Sequence, residues 1–183
     1  MRIRTTLAAG AAILFLGAAG CGSSSSGGSQ PVDPNGAEVT PPGDIPDNQA
    51  FVAYSPPGGG YSVKVPEGWA RTRVGGAVTF TDKLNSIRME SKSASGPLSL
   101  AAAKRQGRGT VTRAKRTAGT AIRCVYTAAG KPDAVTGKRR TNAVERYVFF
   151  HRGRDVVLTL TGPKGADNVD PWQLVTDSLR FTR

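Results

Sequence analysis

Thr141-Asn-Ala-Val-Glu-Arg-Tyr-Val-Phe-Phe-His151 and, after a short break, Asp155-Val-Val-Leu-Thr-Leu-Thr161 decide the architecture. Each stretch has strand length, and Arg152-Gly-Arg154 between them makes a hairpin turn. Neither alternates as a half-solvated strand does. Val144, Tyr147, Val148, Phe149 and Phe150 in the first, and Val156, Val157, Leu158 and Leu160 in the second, put apolar side chains on both faces. A strand that is apolar on both faces needs cover on both. The pair therefore sits inside a sheet packed on each side, which disfavours a sheet with one face in water.

Upstream, Phe51–Tyr54 and Tyr61–Val65 read as strands joined through the Pro56–Gly60 turn, with Tyr61, Val63 and Val65 alternating with Ser62 and Lys64. Pro66-Glu-Gly68 breaks the pattern, and Trp69–Val74, Val78–Thr81 and Ile87–Glu90 follow as short strands in a meander. Pro97 opens a helical stretch carrying Leu98 and Leu100–Lys104, with Gly107 as its stop. Strands at Thr110–Arg116 and Thr120–Ala128 lead into the deciding pair. A last helix begins at Asp170-Pro-Trp-Gln173, with Asp170 as cap and Trp172, Val175 and Leu179 as one apolar stripe. The expected class is α+β: an antiparallel sheet of six to eight strands with helices packed on it.

The chain starts differently. Arg2 and Arg4 precede an almost uncharged run, Thr6–Ala19, and Ala18-Ala19-Gly20 leads into Cys21. That order reads as a secretory signal peptide over residues 1–20, and small residues ending at a cysteine resemble a bacterial lipoprotein signal. Cys21 is then the lipidation site; the alternative is an ordinary signal peptide that leaves Cys21 unmodified or removes it. Residues 21–49 hold four consecutive Ser and several Gly and Pro with few bulky apolar residues, the composition of a disordered tether. Such a tether reaches about 30 Å. Residues 50–183 form one domain, expected as a monomer at the outer face of the cytoplasmic membrane. The two acyl chains of a diacylglyceryl group suffice for stable attachment.

Charge is the second conspicuous feature. From Ala50 onward there are 23 Lys and Arg against nine acids. The density peaks between Lys104 and Arg140, and Arg113, Lys115, Arg116, Lys138, Arg139 and Arg140 are the candidate partner-binding residues. The partners such a field attracts outside a membrane are anionic lipid, a wall polymer or a membrane protein complex. The competing reading is solubility, with Lys and Arg guarding an edge strand. Nucleic acid is disfavoured, because an exported protein rarely meets it and no aromatic stacking motif accompanies the basic run. The tether reverses the sign with Asp33, Glu38, Asp44 and Asp47, which suggests that it lies across the basic face.

Catalytic signals are sparse. His151 is the single histidine and is expected as an exposed turn residue, with no Gly-x-Ser-x-Gly elbow to accompany it. Cys124 alternates with polar neighbours and is expected to be a small buried residue, not a nucleophile. One His and one cysteine in the domain do not build a usual zinc site, and Gly58-Gly59-Gly60 lacks the Lys of a phosphate-binding loop. No enzyme activity, metal or cofactor is expected.

Tyr61-Ser-Val-Lys-Val-Pro-Glu-Gly-Trp69, the Tyr147–Leu160 hairpin and Trp172-Gln-Leu-Val-Thr-Asp-Ser-Leu-Arg180 together resemble the PsbP-like family, which includes LpqN-type lipoproteins of actinobacteria. The resemblance implies an α/β/α sandwich in which Tyr61, Pro66, Trp69 and Trp172 are framework residues. It also implies a non-catalytic domain that docks on larger membrane assemblies. The manganese and calcium role of the family's photosystem subunit does not carry over, since no matching ligand cluster is present. The function read here is a membrane-anchored envelope lipoprotein docking on a complex such as a transporter; the alternative is a lipid- or glycan-binding carrier or sensor module.

Overall fold

The computed structural model describes residues 42–182. The expected signal peptide, Cys21 and the tether as far as residue 41 lie outside the described residues. In chain order the elements are β1 (Phe51–Tyr54), β2 (Tyr61–Pro66), β3 (Ala70–Val74), β4 (Ala77–Asp82), β5 (Asn85–Ser93), α1 (Leu100–Arg105), β6 (Thr110–Arg116), β7 (Gly119–Pro132), β8 (Arg139–His151), β9 (Arg154–Pro163), α2 (Val169–Asp177) and β10 (Arg180–Phe181). The protein is mostly antiparallel β-sheet with two short helices.

The strands divide into two sheets. Seven run in the order β3-β4-β5-β9-β8-β7-β6, and β1, β2 and β10 form a separate sheet of three. The expectation of one continuous sheet is corrected here. Glu67 and Gly68 turn the chain after β2, so β2 pairs with β1 and with β10 and not with the meander.

The deciding hairpin holds the middle of the large sheet, with Tyr147 opposite Leu158 and Phe149 opposite Val156. Period-two alternation sends Tyr147, Phe149, Val156, Leu158 and Leu160 to one face, where they meet Trp172, Val175 and Leu179 together with Tyr61, Val63 and Val65 of β2. The opposite face has a smaller cluster in which Ala103 of α1 packs with Val111, Ile122 and Cys124. On that second face of β8 and β9, Val144, Val148 and Val157 are buried too, which is why both strands carry apolar residues on both faces.

The helices start elsewhere than Pro97 and Asp170 suggest. Ser99 caps α1, its hydroxyl accepting from the Ala102 N–H at 3.1 Å, and Pro97 lies in the approach. Asn168 occupies the cap of α2 without a side-chain cap bond, because its amide is engaged elsewhere. Its Oδ1 accepts from the Ile45 N–H at 2.8 Å, and its Nδ2 donates to the Gly43 carbonyl at 2.9 Å. Asn85 also donates to Gly43, at 2.9 Å. Ile45 is consequently buried, and the packed body begins before Ala50, the boundary read from composition. Gly162 makes room for this knot: a Cβ there would stand 2.5 Å from Asn85 Oδ1 and 2.8 Å from Asn168 Nδ2.

Candidate functional site

Alternation along β6 divides the candidate cations. Arg113 and Lys115 share the α1 side with Val111 and are exposed, whereas Ala114 and Arg116 turn toward the main core. β6 is an edge strand of the large sheet, where exposed cations discourage pairing with another chain.

Arg116 is enclosed by its own fold. Its Nε donates to Thr176 Oγ1 at 3.1 Å, its Nη2 donates to Tyr147 Oη at 3.0 Å, and Asp177 lies 3.7 Å away. The Tyr147 hydroxyl in turn donates to Glu145 Oε2 at 2.7 Å, and Arg123 grips the same carboxylate through Nε at 3.0 Å and through Nη2. Burial pushes the Glu145 carboxyl up, but the bonds from Arg123 and Tyr147 and the charges of Arg123 and Arg116 outweigh it and hold the group below its ordinary range. Burial and the bond to Glu145 push the Tyr147 phenol up. This chain of contacts fastens the end of α2 to β6, β7 and β8; Arg116 is a structural clamp between them.

Lys138, Arg139 and Arg140 stand at the far end of the β7–β8 hairpin, all exposed. Asp133 orders that loop by accepting from the Val135 N–H and from the Thr136 N–H and hydroxyl, bonds that lower its carboxyl pKa. Arg139 donates to the Gly130 carbonyl at 3.0 Å. β7 pairs with Arg116 at its first residue, Gly119, and with Arg139 at its last, Pro132. Thirteen residues at about 3.3 Å each put the Arg116 and Arg139 ends roughly 40 Å apart. They do not form one patch: an antiparallel hairpin carries the chain away from β6 before it reaches Lys138.

Other cations gather where no motif marked them. Arg108 and Arg146 rim a cleft of about 260 Å³ between α1 and β7, floored by Ala103, Cys124 and Tyr126. Burial pushes the Cys124 thiol up, which suits a packing residue better than a nucleophile. Arg71, Arg73 and Arg154 line a pair of adjoining clefts beside the β1–β2 loop. β3 and β9 bring them together from separate parts of the chain, and no local spacing signals it.

His151 is half-buried, in place of the exposed turn position expected, and stacks on Phe181 with centroids 4.2 Å apart. β10 spans only two residues, too few for a period to place Phe181 beside His151. Glu90 pairs with Arg88 at 2.8 Å, and Glu145 pairs with Arg123, as sheet-borne partners of basic side chains. Among the described residues no group of three His, Cys, Asp or Glu is arranged to hold a metal ion, and no helix is long and apolar enough to cross a membrane.

No protein-family model matches the chain, and no curated protein matches it. Similar solved structures include a protein of Bacteroides thetaiotaomicron (14% identity, TM-score 0.49, covering 68% of this chain), of whose length the chain spans 46%. The Ran-binding protein Mog1p of Saccharomyces cerevisiae is 12% identical, with a TM-score of 0.48 over 73% of this chain and 96% of its own. The cyanobacterial PsbP of Synechocystis is 15% identical, with a TM-score of 0.49 over 81% and 99%.

Proposed function

We propose that the protein is a non-enzymatic envelope lipoprotein, anchored through Cys21 at the outer face of the cytoplasmic membrane, whose basic PsbP-like domain docks on a membrane protein complex such as a transporter. The observation that carries this reading is where the carboxylates go. Glu90, Glu145 and Asp177 are engaged with Arg88, Arg123 and Arg116, Asp133 orders its own loop, and Asp44 accepts from the Asp167 N–H at 2.9 Å. Arg113 and Lys115 on the β6 edge and Lys138–Arg140 on the hairpin have no carboxylate within ion-pair distance among the described residues. Cations without an ion-pair partner at two separated places accelerate encounter with an acidic partner and fix its orientation. Asp44 is turned toward α2 and does not screen the basic face.

The carrier reading has two clefts to draw on, one of about 520 Å³ between β2 and α2, lined by Val63, Lys64, Leu174 and Ser178, and one of about 260 Å³ between α1 and β7. The first lies within the roughly 300–1,000 Å³ usual for small-molecule pockets; the docking reading is preferred for the cations left without an ion-pair partner. The test is photo-crosslinking in intact cells with probes at Arg113 and Arg139. Docking predicts recovery of one membrane protein from both positions, lost on reversal of Lys138–Arg140 to Glu. Recovery of only lipid or wall polymer overturns docking in favour of the carrier.

A further inference from the structure

The Ser91 hydroxyl is buried and has no hydrogen-bond partner among the described residues. A buried polar atom without a partner costs stability, and its persistence in a folded chain calls for an explanation. Ser91 lines a cleft of about 200 Å³ bounded by Gly58 and Gly59 of the β1–β2 loop and by Gly75 and Gly76 of the β3–β4 turn. Arg73, Arg154, Tyr61, Pro56 and Pro57 complete its wall, and no carboxylate contributes to it. Arg73 also lines an adjoining cleft of about 440 Å³ with Arg71, Tyr54 and Pro57, again without a carboxylate.

We propose that this paired cleft binds a phosphate ester, with the phosphoryl group held by Arg73, Arg154 and the hydroxyls of Ser91 and Tyr61, and the organic part lying against Tyr54 and Pro57. Two guanidinium forks and two hydroxyls offer more donors than the two oxygens of a carboxylate can use, whereas a phosphoryl group presents three or four. At Gly58, Gly75 and Gly76 nothing lies within 4 Å of where a Cβ would stand, so these turns leave open space at the mouth. Arg154 is steadied by its contact with the Gly58 carbonyl at 3.3 Å, and Arg71 lies over the Tyr54 ring, 5.4 Å from its centroid. Burial, then the neighbouring Tyr54 and Glu90, pushes the Tyr61 phenol up to about 12, so it stays protonated and able to donate at neutral pH. The size of the first cleft limits it to the anionic group, below the roughly 300 Å³ at which drug-sized pockets begin. The site is separate from the docking residues and does not depend on them.

Two sources supply this chemistry, a soluble phosphate ester and a phosphoglycerol lipid headgroup. The test is an NMR titration of the full chain with glycerol 3-phosphate, with glycerol as control, beside co-sedimentation with vesicles of phosphatidylglycerol in phosphatidylcholine. The expected result is saturable shifts at the Ser91, Gly58 and Gly76 amides with glycerol 3-phosphate and none with glycerol. Arg73→Gln is expected to weaken binding at least tenfold and Ser91→Ala several-fold. Arg73 is exposed, so Arg73→Gln is expected to keep the wild-type Tm, and Ser91→Ala, which removes an unpaired buried hydroxyl, to keep or raise it. Vesicle binding that falls with Arg73→Gln assigns the lipid headgroup as the source; glycerol 3-phosphate binding without vesicle binding assigns the soluble ester. Non-saturable shifts spread over Arg113 and Lys138, or affinity indifferent to Arg73→Gln on both probes, overturn the site.

Discussion

Replacing Glu145 by Gln keeps the size of the side chain and one carbonyl acceptor but removes the charge at the centre of the clamp. Three donors meet on that carboxylate: Nε and Nη2 of Arg123 and the hydroxyl of Tyr147. A hydrogen bond to a charged group contributes about 1.5–3 kcal/mol, against about 1 kcal/mol for a neutral one. The Arg123 side chain is 34% exposed, so water screens part of its attraction. The expected loss at neutral pH is therefore about 2 kcal/mol. With a urea m-value of about 2 kcal/mol/M for a domain of this size, the unfolding midpoint falls by about 1 M.

The dependence on pH gives a second arm. The folded carboxyl titrates below its ordinary 4.5, so its contribution is complete above the unfolded pKa and is lost as pH falls through the folded one. The gap between wild type and E145Q is thus constant near neutrality and narrows as pH falls below 4.5. Urea unfolding followed by tryptophan fluorescence, repeated from pH 7 into the acid limb, measures both. Equal midpoints at pH 7, or a gap that persists unchanged on acidification, refute the clamp.

Gly162→Ala places a methyl group against Asn85 and Asn168 and is expected to cost about 1–3 kcal/mol by overpacking; thermal unfolding should show a lower Tm, with faster proteolysis near Ile45. Cys124 is 8% exposed and its thiol is raised by burial, so maleimide labelling of the native protein at neutral pH should be slow and should become rapid in denaturant.

Much of the strand and helix pattern was legible because it is local. Alternation at Tyr61–Val65, the breaks at Pro66–Gly68 and Arg152–Arg154, and the two-faced apolar runs of β8 and β9 each follow from neighbouring residues. The capping residues were not, since Asn168 gives its amide to Gly43 and Ile45, more than a hundred residues away in the chain. β10 has two residues, too few to carry a period. The candidate site was legible as a count of charges and illegible as a surface. Arg113, Lys115 and Arg116 are neighbours in sequence, yet the period-two geometry of β6 exposes two of them and turns the third toward Tyr147 and Thr176.

The sequence by itself determined that the domain is antiparallel, rich in strand, covered on both faces of β8–β9 and strongly basic, because periodicity, turn residues and net charge need no knowledge of distant contacts. Only the tertiary structure decided that the strands divide into two sheets, that Arg116 is held by its own fold, that Lys138–Arg140 stand far from Arg113, and that Arg73, Arg154 and Ser91 share one cleft. Those outcomes depend on strand register and on which crossover carries the chain over which face, and neither is encoded within a single local stretch.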